Sequence, residues 1–95
     1  MILSTHAKIR LRQRFPFLTQ DQFGKIVSVA EKVTQEGNLA TKLFYSPAND
    51  TWGFIVQNRR NKVILTVFPT TNSDIEISSA QKRLVKVNTL KTFKS

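Results

Sequence analysis

The chain has no cysteine, which removes disulfide frameworks and thiolate metal sites and suits a reducing compartment. It has one histidine and six acidic residues, and the acids are scattered. Such a set is not expected to hold zinc or a carboxylate-bound metal, and no cofactor is expected. Glycine is scarce too. Gly24, Gly37 and Gly53 are the three, and they compose neither a phosphate-cradling loop nor a dinucleotide fingerprint; a nucleophile elbow is also missing. No run approaches the roughly 20 apolar residues of a membrane span. Met1-Ile2-Leu3 is too short for the core of a signal peptide. The expected setting is cytoplasmic, without a membrane partner.

What remains is base. Fifteen Lys and Arg face six Asp and Glu, for a net charge of +9 in 95 residues. Residues 1–14 hold Lys8, Arg10, Arg12 and Arg14 and no acid. Residues 79–95 hold Lys82, Arg83, Lys86, Lys91 and Lys94, again with no acid. Clustering at both ends favours a polyanionic partner, nucleic acid foremost. An anionic membrane surface or an acidic protein inhibitor would answer the same charge. The length and a 40% hydrophobic content suit one small domain, residues 1–95.

Ser4 or Thr5 is placed to cap a first helix that runs to about Arg14, where Pro16 stops it. Leu3, Ala7, Leu11 and Phe15 form its apolar stripe. A second helix is expected from about Gln20 to Glu36. Thr19 and Gln22 make its capping box and Gly37 its left-handed stop. Phe23, Ile26, Val27, Ala30 and Val33 repeat at helical spacing along it. The period then turns extended. Strands are expected at Leu39–Ser46, Thr51–Gln57 and Lys62–Phe68, joined by turns at 46–50 and 58–61. In the last strand Val63, Leu65 and Val67 are read as the core face. The tail allows a short helix with Leu84, Val87 and Leu90 on one side, or equally an extended segment. The expected class is α+β: two N-terminal helices on one face of a curved antiparallel sheet of three to four strands, with a short C-terminal helix or strand.

His6 is the natural general acid or base, because imidazole ordinarily titrates near neutrality. Arg10 and Arg14 follow it at four-residue intervals, which puts all three on one helical ridge with about 6 Å of rise between neighbours. Guanidiniums there suit a scissile phosphate and the extra charge of its transition state. The plainer alternatives are a histidine with no role and a solvated basic face. Thr66, a hydroxyl in an apolar strand, is a candidate to position the phosphate or the imidazole. Lys8 and Arg12 on the helix's other flank, Lys42 on the first strand, and Arg59, Arg60 and Lys62 at the hairpin make a candidate nucleic-acid-binding set. Phe44, Tyr45, Trp52 and Phe54 are either a base-stacking surface or core.

Ser4-Thr5-His6-Ala7 followed by Arg10 and Arg14 resembles the S-x-H-A-x-x-R-x-x-x-R opening of small bacterial and phage ribonuclease-like toxin domains. Val63-Ile64-Leu65-Thr66-Val67 resembles their closing strand. These domains belong to the barnase–EndoU–colicin–RelE-like superfamily. The resemblance covers residues 1 to about 70. It implies metal-independent cleavage of tRNA or messenger RNA, with the 2′-hydroxyl attacking the adjacent phosphate. It makes His6 the acid/base, Arg10 and Arg14 the phosphate binders and Thr66 a positioner. An acidic antitoxin or immunity protein covering the basic groove is the expected protein partner. The expected function is therefore a toxin-type endoribonuclease. The alternatives are a non-catalytic nucleic-acid-binding module and a phage-encoded protein that binds a host enzyme.

Overall fold

A computed structural model describes residues 1–94. The elements in chain order are β1 (Ile2–Leu3), α1 (Thr5–Arg14), α2 (Gln20–Ser28), β2 (Glu31–Glu36), β3 (Leu39–Ser46), β4 (Thr51–Asn58), β5 (Val63–Pro69) and α3 (Ser79–Lys94). The strands form one sheet in the order β1-β5-β4-β3-β2. Four of them form an antiparallel meander, while β1 joins β5 in parallel, with Ile2 opposite Val63 and Leu3 opposite Ile64. The sheet is thus five-stranded and mixed, which corrects the expected antiparallel sheet of three to four strands. A two-residue strand leaves too short a pattern to be read from sequence.

The helix expected to reach Glu36 ends at Ser28, and residues 31–36 are strand instead. The capping box at Thr19 and Gln22 is present and starts the helix. Its end is decided by tertiary pairing. Val29 to Glu36 has modest helix propensity with β-branched Val33 and Thr34, and β3 offers it a ladder from Glu31–Leu43 to Glu36–Leu39. A register shift between Lys32 and Thr34 sets Val33 apart from the ladder, and Val33 packs on the core. Gly37, with φ +59°, turns the β2–β3 hairpin rather than stopping a helix.

Both sides of the sheet are covered. Leu3, Ala7, Leu11, Phe23 and Ile26 pack on Phe44, Ile55, Ile64 and Val67 beneath α1 and α2. Val85 of α3 packs with Leu43, Tyr45 and Phe54 on the opposite side, joined by Ile75, Ile77 and Leu90. Helices on a single face were expected; α3 overturns that. It is also a full helix of 16 residues, not a short one. It buries Val85 and Thr89 and leaves Leu84 (49%) and Val87 (43%) exposed, so the expected apolar side is largely its outer side.

A bulge in β5 changes which residues are core. Val56 opposes Thr66 and Gln57 opposes Ile64, leaving Leu65 as the extra residue. Ile64 and Val67 are both fully buried, whereas Val63 and Leu65 are half-exposed. The strict alternation expected for Val63, Leu65 and Val67 is broken at that point. Gly53 pairs with Phe44, and a Cβ there would collide with the Phe44 ring. That ring also meets Phe15 and Phe23 edge-on, with centroids 5.3 and 5.6 Å away.

Candidate nucleic-acid interface

Ser4 anchors α1 to β5. Its side-chain oxygen accepts from the Ala7 N–H at 3.0 Å as N-cap and donates to the Leu65 carbonyl at 3.1 Å. Its own N–H donates to the Ile64 carbonyl at 2.9 Å. Ala7 and Leu11 then face the sheet, and the cations of α1 divide between two flanks.

His6, Arg10 and Arg14 form the ridge that the spacing predicts, but the three differ in what they engage. His6 is exposed, and its Nε2 accepts a long hydrogen bond of 3.4 Å from Arg10 Nε. Arg10 Nη1 also donates to Gln13 Oε1 at 3.0 Å. Arg14 is half-buried and donates from Nη1 to the Val67 carbonyl at 2.8 Å. β1 covers β5 only at Val63 and Ile64, so Arg14 satisfies a carbonyl along the uncovered remainder. Thr66 does not join the ridge. Val67 faces the core beneath α1 and its neighbour Thr66, opposite Val56, lies on the other side of the sheet.

Lys8 and Arg12 occupy the other flank. Both are exposed, and neither makes a hydrogen bond or ion pair among the described residues. With Leu11, Pro16, Leu18 and Gln20 they line a cleft of about 340 Å³ between α1 and α2. Arg59 and Arg60 are exposed at the β4–β5 turn, where Asn58 Oδ1 accepts from the Arg60 N–H at 2.9 Å. Lys62 ends that turn with φ +64°. Lys42 is half-buried on β3, across from Lys32 of β2. Of the four aromatic candidates only Trp52 is partly open to solvent. Phe44 and Phe54 are fully buried in opposite cores. Tyr45 lies beneath Trp52 at a centroid distance of 4.8 Å.

One polar cluster had no signal in the sequence. Tyr45 Oη donates to Asp50 Oδ1, and Lys86 Nζ lies 3.8 Å from the same oxygen and 5.3 Å from the Tyr45 ring. The hydrogen bond to Asp50, then burial, then the Asp50 charge push the Tyr45 hydroxyl up to about 12. The cluster fastens α3 to the β3–β4 turn. Lys86 is distant from both partners in the chain, so spacing carries no hint of it.

Among the described residues no group of three or more His, Cys, Asp or Glu is arranged to hold a metal ion. Among them, too, no helix is long and apolar enough to cross a membrane. Comparison with protein-family models, with curated proteins and with solved structures finds no match to this chain.

Proposed function

We propose that this domain binds RNA through its basic surface, with α1 as the principal contact. The observation that carries this is how few of the cations are paired with an acid within the fold. Against fifteen Lys and Arg, the described residues contain one ion pair, Lys86–Asp50. Lys8, Arg12, Arg59 and Arg60 stand exposed and are available to phosphate oxygens. A cytoplasmic setting belongs to this proposal, and an acidic antitoxin or immunity protein is the protein partner that such a surface would accept. The test is fluorescence anisotropy of the purified chain with a labelled RNA oligonucleotide over a salt series. Submicromolar binding whose logarithm falls linearly with log salt is expected. Absence of binding at low salt would overturn it.

The His6–Arg10 pair favours a second, finer reading: metal-independent endoribonuclease activity of toxin type. A phosphate held by Arg10 would sit beside the His6 imidazole, which would take the proton of the attacking 2′-hydroxyl as the new O–P bond forms and return it to the 5′-oxygen as the P–O5′ bond breaks. Thr66 and Arg14 lend this reading no support, since one faces the other side of the sheet and the other is bonded to Val67. Incubation of RNA with the protein and a chelator tests it. Fragments ending in a 2′,3′-cyclic phosphate, lost in His6→Ala, are expected; RNA that stays intact would leave binding alone.

A further inference from the structure

The cleft beside Lys8 and Arg12 does not end with those two residues. Two further depressions, of about 210 and 510 Å³, adjoin it, and all three border Gln20. Lys8 is shared by the first two, and Met1 by the second and third. Together they form a groove that starts between α1 and α2 at Arg12 and Pro16 and continues between Met1–Leu3 and α2 to Gly24 and Lys25. Its walls carry Arg12, Lys8 and Lys25 against a single acid, Asp21 at the far end. Lys8 and Arg12 lie one helical turn apart, about 6 Å along the axis. Exposed Met1 and Ile2, with half-buried Leu18, supply apolar wall beside the charges.

From this we infer that the α1–α2 groove is the track for one strand of nucleic acid, a proposal that rests on the RNA-binding reading above. A row of cations follows a phosphate backbone, and the aliphatic wall offers unpaired bases a place out of water. Depressions of a few hundred cubic ångströms admit a single strand, whereas a duplex reaches only their rims. Gln20 contributes an amide that donates and accepts at the midpoint of the track. The track lies on the opposite flank of α1 from His6 and Arg10, so strand binding and the His6–Arg10 pair are separable.

Anisotropy with the full chain tests this, using an oligouridylate of about twelve nucleotides and a duplex of the same length. The single strand is expected to bind about tenfold tighter than the duplex. Lys8→Ala with Arg12→Ala should weaken single-strand binding about tenfold and flatten the log K against log salt slope by about 1.4, the share of two phosphate contacts. Gln20→Trp, which fills the groove without changing charge, should weaken it comparably. Lys82→Ala with Arg83→Ala removes the same charge outside the groove and should lose less than threefold. Circular dichroism checks that each variant is folded. Equal losses in the two double variants, wild-type binding by Gln20→Trp, or equal affinity for duplex would each overturn the track. Binding by the wild type that persists through those results leaves the RNA-binding reading standing, while no binding by the wild type removes both.

Discussion

Arg14 donates a 2.8 Å hydrogen bond to the carbonyl oxygen of Val67, which makes it a brace between α1 and the uncovered stretch of β5. Arg14 and Arg10 are both half-buried and His6 is exposed, but only Arg14 on this ridge is bonded across to the sheet. Replacing Arg14 by Ala should cost about 1.5–3 kcal/mol of stability, the range for a hydrogen bond to a charged donor. Arg10→Ala, which loses only exposed contacts to His6 and Gln13, should stay within about 0.5 kcal/mol. Urea unfolding followed by circular dichroism separates the two.

Thr66 offers the complementary expectation. It faces the side of the sheet away from α1, so Thr66→Val should leave RNA affinity within about twofold of wild type. If RNA is cleaved, the same substitution should leave the rate nearly unchanged, whereas His6→Ala should lower it by about 100-fold or more. Single-turnover assays on labelled RNA report both.

Gly53 is irreplaceable for a steric reason. Gly53→Ala should destabilise the fold by about 1–3 kcal/mol, because the Phe44 ring occupies the space of the new methyl group. Phe44 in turn contacts Phe15 and Phe23 and cannot retreat without disturbing them. A lowered Tm in a thermal melt is the readout.

The Tyr45–Asp50 bond predicts a loss of stability in strong alkali. The ordinary tyrosine value is 10.0 and the folded protein holds Tyr45 to about 12. Below pH 10 both states keep the proton and the full contribution is present. Above that the unfolded chain releases it first, so stability falls as pH rises and the contribution is gone once pH passes about 12. Asp50→Asn should return the titration towards 10. The chain has one tyrosine, so tyrosinate absorbance reads this position without interference.

Local chemistry was legible in the sequence, and long-range pairing was not. Ser4, Pro16 and the Thr19–Gln22 box act on neighbours within a turn, and they mark where α1 stops and α2 starts. The end of α2 was misread because Val33 continues a helical apolar period by coincidence, while β3, which wins the segment for the sheet, lies further along the chain. The bulge at Leu65 has no Gly to announce it, and it moves Ile64 into the core. At the candidate interface the cation spacing on α1 was readable. The engagement of Arg14 was not, since its acceptor is a backbone carbonyl and leaves no trace in residue type. The groove between α1 and α2 was equally hidden, because Gln20, Leu18 and Lys8 meet only once both helices are docked.

The clamp at Ser4 spans 61 residues of sequence, from the start of α1 to the Leu65 carbonyl. Alone, a ten-residue helix falls below the roughly 12–15 residues needed for stability in water. During synthesis the segment from Thr5 to Arg14 therefore emerges without its scaffold and stays unstructured until β5 has been made. The ordered array of cations comes into being only once β5, some fifty residues further along, is available to dock α1. The RNA-binding surface proposed for α1 is thereby absent while the early part of the chain is still tethered to the RNA-rich machine that makes it.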